Sequence, residues 1–315
     1  MRRVRLPRHP HAPSFPAMPT ILNPRHALLA LVLVMIWGSN FTVGRLGLQE
    51  ISPLLFAFLR FFFVLLPAVF FIPRPAVPWL HLAAYGLLIG AGQFGLLFIA
   101  LRNDISPALA SLLLQSQAFI TIGLSIALNG EKVRAYQWGA LALAAMGLVV
   151  IIAHGGQDAT PLGIVLALAA AACWAGGNHV GRQSGQVDML GYVVWSSLFT
   201  LPPLLVLSLV FDGWPAIAAS VTQASWVAWG AVAYQAIANA MFGYTVWGFL
   251  LARYPAATVA PLSLLVPVFG FATSALVLGE ELQDWKLLAA ALVMGGLAFN
   301  LLWPRLSIAL GRPVS

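Results

Sequence analysis

Long apolar runs, broken at short intervals by Gly, Pro, Asn and charged residues, make up most of the chain. A helix needs about 20 mainly apolar residues to cross the hydrocarbon core of a bilayer. Read from break to break, the pattern predicts ten such helices, at roughly 27–46, 53–72, 79–101, 106–128, 135–153, 162–181, 190–211, 225–251, 256–278 and 285–303. The breaks carry turn chemistry. Pro73, Pro75 and Pro78 separate spans two and three. Asn129-Gly130-Glu131-Lys132 separates four and five, and His154-Gly155-Gly156-Gln157-Asp158 separates five and six. A longer loop is expected around Asp212-Gly213-Trp214-Pro215, between spans seven and eight.

Composition turns this pattern into an environment. Of the 315 residues, 61% are hydrophobic and only 8% are charged, against about 45–50% and about 25% in soluble domains. So much apolar surface has to face lipid. The formal charge of +7 would suit a nucleic-acid partner if it formed a stripe, but the Lys and Arg residues stand scattered at the ends of the spans, so no nucleic-acid binding is expected. They read as topology signals instead. With the N-terminus in the cytoplasm, twelve of the sixteen Lys and Arg fall on the inside, Arg45, Arg102 and Lys286 fall outside, and Arg60 lies within span two. Both termini then come out cytoplasmic. Residues 1–26, with Arg2, Arg3, Arg5, Arg8 and Arg25 among several prolines, read as a disordered cytoplasmic tail, and Met18 is an alternative start. Residues 304–315 form the opposite tail. The single cysteine, Cys173, excludes an intrachain disulfide and makes no Cys-based metal site.

The two halves resemble each other. Trp37-Gly38-Ser39-Asn40-Phe41-Thr42-Val43-Gly44-Arg45 aligns with Trp174-Ala175-Gly176-Gly177-Asn178-His179-Val180-Gly181-Arg182, with Trp, Val, Gly and Arg coinciding. Gly130-Glu131 aligns with Gly279-Glu280. This divides the chain into repeats at 27–153 and 162–303, each of five spans. Five is odd, so the second copy enters the membrane from the opposite side. The fold class expected is thus an all-α integral membrane protein of ten transmembrane helices in two inverted five-helix repeats. Secondary transporters recur in this design, with the substrate site near the midplane between the repeats.

Polar residues within lipid are costly and should face the bundle interior. Helical spacing puts Trp37, Asn40 and Gly44 on one face of span one, and Trp174, Asn178 and Gly181 on one face of span six. Span three offers Gln93. Span four offers Ser111 with Gln115, and Gln117 with Thr121. Span eight offers Gln235, Asn239, Tyr244 and Trp247. Each of these polar groups has the alternative role of a helix–helix hydrogen bond. In span nine, Pro261 and Pro267 free the carbonyls of Ala257 and Ser263; a neighbouring helix, water or a substrate ammonium would have to take them up. Arg60, about 10 Å into span two by helix rise, either counters a substrate carboxylate or snorkels to the outer interface. His179 ends span six, where it either titrates or holds a simple hydrogen bond. Glu131 and Glu280 read as helix-end caps. No span carries a central Asp or Glu, and no catalytic motif, metal ligand set, P-loop or other cofactor motif is present. The chain is therefore not expected to be an enzyme or to drive transport with ATP by itself.

Several of these segments carry a family signature. Trp37-Gly38-Ser39-Asn40-Phe41, the stretch from Pro53 to Arg60-Phe61, Pro107-Ala108-Leu109-Ala110-Ser111-Leu112 and Gly130-Glu131 resemble the EamA family of the drug/metabolite transporter superfamily. The second half repeats the signature in Pro261-Leu262-Ser263-Leu264-Leu265-Val266-Pro267-Val268 and Gly279-Glu280. The resemblance covers residues 25–303; the tail before Met18 has no counterpart in it. Leu114-Gln115-Ser116-Gln117-Ala118-Phe119 and Tyr244-Thr245-Val246-Trp247-Gly248 are similar to enterobacterial members that export O-acetylserine and cysteine. The resemblance implies a central cavity lined by helices one, three, four, six, eight and nine. It also implies export of amino acids or related metabolites across the bacterial inner membrane. Substrate-binding residues are expected at Trp37, Asn40, Gln93, Gln115, Gln117, Trp174, Asn178, Tyr244, Trp247 and Ser263. Export of drugs or nucleotide-like metabolites stays open as an alternative. A membrane enzyme would need a reactive cluster that the sequence lacks, and a non-transporting scaffold would not need the polar interior. Coupling by proton antiport, exchange or facilitated diffusion is open, as is oligomeric state, with a monomer plausible.

Overall fold

The computed structural model describes residues 22–129, 134–156, 158–185, 188–254 and 256–309. The tail before Met18 and the Glu131 cap lie outside these residues. Apart from an isolated bridge between Ile105 and Ala159, regular structure among the described residues is helical. Among the described residues, nine helices are long and apolar enough to span a bilayer: α1 (Pro24–Gly47), α2 (Pro53–Phe70), α3 (Trp79–Asn103), α4 (Pro107–Leu124), α5 (Ala135–His154), α6 (Pro161–Gln183), α7 (Met189–Phe211), α9 (Pro261–Leu278) and α10 (Asp284–Pro304). Between α7 and α9 comes a bent pair, in which a lateral helix Gly213–Gln223 meets α8 (Trp226–Arg253) at 97°. A helix thus replaces the loop expected there. The last helix also runs on to Ala309, beyond the expected end near 303, because Pro304 removes one hydrogen bond without ending the rod.

Helix starts follow from local chemistry. Ser52-Pro53, Ser106-Pro107 and Thr160-Pro161 each place a proline at the first helical position, where its missing N–H is no loss. The Thr160 hydroxyl accepts from the Gly163 N–H at 3.0 Å, and Asp188 accepts from Gly191 at 2.9 Å. α9 ends at Gly279, whose φ of 68° is in the left-handed region that favours glycine.

The helix pairings come in matched sets. α1 packs on α9 as α6 packs on α4, and α1 packs on α8 as α6 packs on α3. α2 pairs with α7, and α5 pairs with α10. Backbone irregularities match too. The centres of α3 and α8 widen into π-helix over Gly86–Phe94 and Tyr234–Phe242. α4 tightens into 3₁₀-helix at Leu114–Ser116, and the entry to α9 does so at Ala260–Leu264. Such breaks are tolerated at membrane depth only where protein or a cavity satisfies the backbone. Glycine makes the central contacts possible: a Cβ on Gly86 would lie 2.2 Å from the Ser196 carbonyl oxygen of α7. The Thr200 hydroxyl donates to the Gly86 carbonyl at 2.8 Å at this same contact. α2 and α3 are largely enclosed, whereas α5 and α10 sit at the periphery. Their outer faces, with Val149, Ile152, Leu287 and Leu288, present apolar side chains outward, as lipid contact requires.

The two ends of the bundle differ. The α1–α2, α3–α4, α5–α6, α7–α8 and α9–α10 connections share one end, and polar contacts tie them together. Ser52 donates to Asp212 at 2.6 Å, Thr160 donates to Asp104 at 2.9 Å, and the Ser225 N–H and hydroxyl both donate to Glu50 at 2.6 Å. These two bonds hold the Glu50 carboxyl below its ordinary pKa. Lys286, 1% exposed, lies 3.0 Å from both Asp158 and Glu280. Glu280 therefore does more than cap α9: it fixes the start of α10. At the other end, Asn23 and His26 bond the Tyr254 hydroxyl at 3.2 and 2.7 Å.

Candidate functional site

All ten residues expected to bind substrate line one cavity of about 330 Å³, within the ~300–1,000 Å³ usual for small-molecule sites. α1 contributes Trp37 and Asn40, α3 Gln93, α4 Gln115 and Gln117, α6 Trp174 and Asn178, α8 Tyr244 and Trp247, and the entry to α9 Ser263. The cavity reaches Met189 at the first turn of α7, Trp247 near the end of α8, and Asn300 and Leu301 near the end of α10. These positions lie toward the end of the bundle that holds the start of α1. At the opposite end lie the polar ties described above.

Most of the expected polar groups already have protein partners. The Ser263 carbonyl, freed by Pro267, accepts from Gln115 Nε2 at 3.1 Å. That carbonyl is thus taken up by a neighbouring helix. Asn178 donates to Gln117 at 3.2 Å, joining α6 to α4. The Trp37 indole N–H donates to the Asn239 carbonyl at 3.2 Å, in the π-helical stretch of α8. Its ring packs at 5.3 Å from Trp247 and 6.2 Å from Tyr244, forming an aromatic wall. Gly243 admits this ring, since a Cβ there would sit 2.4 Å from the indole nitrogen. His179 lies 3.1 Å from the Gln183 amide.

Arg60 is the residue whose placement changes most. It is 1% exposed and lines the cavity, so the snorkelling alternative fails. Its guanidinium lies over the Phe94 ring at 3.6 Å and donates to Gln235. The Asn239 amide lies against the guanidinium, and because a guanidinium only donates, the orientation that satisfies both turns the amide oxygen inward, 2.9 Å from Nη1 and 3.3 Å from Nη2. No Asp or Glu is among the described residues that line the cavity. Arg60 Nε has no hydrogen-bond partner among the described residues, and neither does the buried Gln93 Oε1 or Asn300 Oδ1. A cation at such depth costs about 2.5–3.5 kcal/mol on insertion scales, so a purpose for it is to be sought. The sequence pattern signalled Arg60 as the one charge inside a span. It did not single out Asn300, whose signal was a lone amide in an otherwise apolar helix.

The geometry is that of a chamber with polar groups set in a largely apolar wall inside a helical membrane bundle, and known proteins agree. The model of the EamA-like transporter family matches the chain twice, at residues 25–153 and 161–302. Proteins described as a probable amino-acid metabolite efflux pump, from Salmonella typhimurium and Escherichia coli, are each 41% identical over 285 residues, covering 89% of this chain and 95% of theirs. An uncharacterized transporter of Bacillus subtilis, YoaV, is 26% identical over 87% of the chain and 96% of its own length. A solved structure, described only as a crystal structure of a protein, superimposes with a TM-score of 0.60 at 20% identity, covering 89% of this chain and 98% of that one; it supports the fold alone. The chain is a multi-pass membrane transporter, not an enzyme, and it belongs to the EamA-like transporter family.

Proposed function

We propose that the chain exports small amino-acid-like metabolites across the bacterial inner membrane by alternating access between two inverted five-helix halves, 27–153 and 162–303. The observation that carries this reading is the cavity between the halves, whose described lining holds one cation, no carboxylate and several amide groups. Such a chamber suits a small polar solute bearing a carboxylate, and disfavours cationic drugs. The matched pairings, with α1 on α9 as α6 on α4, support a two-fold relation between the halves. An odd number of spans in each half makes that relation an inversion. The charge bias supports a cytoplasmic location for both termini; on that orientation a cavity reaching toward their end is the inward-facing state of an exporter waiting to load. The names given to the Salmonella and Escherichia coli relatives point to the same cargo. Trp37, Trp247 and Tyr244 form the wall against which the solute's side chain packs, and rocking of the halves moves the opening to the other side.

Uptake of labelled cysteine, O-acetylserine and phenylalanine into inside-out membrane vesicles tests the proposal. Saturable uptake of at least one of them is expected. Its absence for all three, with the protein present in the membrane, overturns it.

A further inference from the structure

We infer that Arg60 is the carboxylate anchor of the transport site, with Gln93 Oε1 on the same cavity receiving the substrate ammonium. The inference rests on the proposed export function and names the chemical group by which a cargo is admitted. Arg60 is enclosed by protein yet faces the cavity, and its Nε has no acceptor among the described residues. Its planar fork is held rather than neutralised. Phe94 supports one face at 3.6 Å, and Gln235 and Asn239 are neutral amides. Neutral acceptors orient a guanidinium without cancelling its charge, which leaves the charge for a carboxylate that can meet the fork with paired hydrogen bonds. Gln93, next to Phe94 in α3, lines the same cavity. It offers a buried oxygen without a donor. One unpaired donor and one unpaired acceptor on the same cavity match the two charged groups of a zwitterionic α-amino acid.

This arrangement also selects. An amine lacking the carboxylate brings a positive charge to an unneutralised guanidinium and leaves that guanidinium unpaired. The matching place in the other half of the bundle, where α7 meets the π-helical stretch of α3, holds the neutral Thr200. The charge therefore lies on one side only, and the substrate head has one orientation.

Competition against labelled cysteine uptake in proteoliposomes of the purified chain tests the inference. Competitors are unlabelled cysteine, cysteinamide and cysteamine, which lack the carboxylate, and 3-mercaptopropionate, which lacks the ammonium. If cysteine is not carried, labelled phenylalanine with phenylalaninamide, phenethylamine and 3-phenylpropionate takes its place. In the wild type the compounds without a carboxylate should compete at least about 30-fold more weakly than the amino acid, the loss typical of unpairing a buried charge. Arg60→Gln should close that gap, and Arg60→Lys, which keeps the charge but loses the fork, should leave an intermediate one. Gln93→Leu should weaken the amino acid while sparing the compound that has no ammonium. Wild-type competition by the amide and the amine as strong as by the amino acid overturns the inference while leaving export standing, and that measurement decides even if Arg60→Gln fails to fold. An Arg60→Gln protein that still prefers the amino acid as strongly as wild type overturns it equally. Absence of saturable uptake of every amino acid tried overturns the export reading first, and this inference with it.

Discussion

The charge cluster around Lys286 closes one end of the bundle, and replacing that lysine should reveal how much it contributes. Lys286 lies 3.0 Å from Asp158 and from Glu280 and donates to the Glu281 carbonyl at 2.9 Å, with the lysine 1% exposed and the Glu280 side chain 9% exposed. It ties the α5–α6 connection to the end of α9 and the start of α10, which lie far from it in sequence. Lys286→Met keeps most of the aliphatic stem and removes the charge. What remains is a buried carboxylate held by the Ser274 hydroxyl and, at 3.5 Å, by the Ala108 N–H. Breaking a buried ion pair from one side costs about 3–5 kcal/mol. Asp158, at 34% exposure, is screened by water and adds little, so the lower end, about 3 kcal/mol, is the relevant figure. For a large domain this is a fall in melting temperature of roughly 6 °C. Thermal unfolding of the purified protein in detergent reads it. Adding Glu280→Gln removes the stranded charge, so the double variant should recover about half the loss or more. A Lys286→Met protein melting within about 2 °C of wild type, or a double variant less stable than the single, would refute the reasoning. Opening this end during a transport cycle would also separate Lys286 from Asp158.

Other outcomes follow from single contacts. Gln115→Ala strands the Ser263 carbonyl freed by Pro267 and should cost about 1–3 kcal/mol in thermal unfolding, whereas Asn178→Ala, which breaks one side-chain pair, should cost about 1 kcal/mol or less. Both should lower uptake per molecule in inside-out vesicles, and unchanged uptake would remove them from the site. Gly86→Ala would put a methyl 2.2 Å from a backbone oxygen of α7, so it should destabilise by about 1–3 kcal/mol or more, measured by melting temperature. Glu50 titrates below its ordinary range because Ser225 bonds the ionised form. Its contribution to stability is therefore present above the unfolded pKa, about 4.3, and is lost as pH falls through the depressed folded value. Wild type and Glu50→Gln should differ most in melting temperature near neutral pH and converge in acid.

The spans were legible because lipid leaves little choice: a backbone crossing hydrocarbon must satisfy itself as helix, and its side chains must be apolar. The spans expected to start at 53, 106 and 162 begin at Pro53, Pro107 and Pro161. The ten candidate lining residues could be picked out because an amide or indole within a span has few places to go other than inward. What those groups do once inside was not legible. Gln115 and Gln117 look alike in sequence, yet Gln115 takes up the Ser263 carbonyl whereas Gln117 accepts from Asn178. Which partner each finds depends on packing between helices distant in sequence. The π-helical widening of α3 and α8 was hidden for the same reason, since nothing local in Gly86–Phe94 separates nine π-helical residues from nine α-helical ones. The lateral helix Gly213–Gln223 was read as a loop because Gly213 and Pro215 suggested one. Gly213, with φ of 76°, instead supports a sharp turn into the helix, and Pro215 falls in its first turn, where proline is accepted.

Arg60 shows how far the sequence reading reached and why it stopped there. Its depth in α2 left a choice between countering a substrate and escaping to the interface, because a long side chain can do either from the same backbone position. Packing decides. Phe94 stands in α3 where the guanidinium lies against its ring, and the π-helical stretch of α8 presents Gln235 and Asn239 four residues apart on one side of it. Those two amides were visible as an i, i+4 pair, but not as the partners of Arg60, since the pair and the arginine are 175 residues apart or more. Removing that pair tests whether it holds the fork in place. With Gln235→Leu and Asn239→Leu together, Arg60 loses its acceptors while keeping its charge. Affinity for the amino acid should then fall, whereas the preference over the decarboxylated amine should persist, because the preference derives from charge and the affinity from orientation as well. Competition in proteoliposomes reads both. Loss of the preference together with the affinity would mean that the amides, and not the guanidinium, recognise the carboxylate.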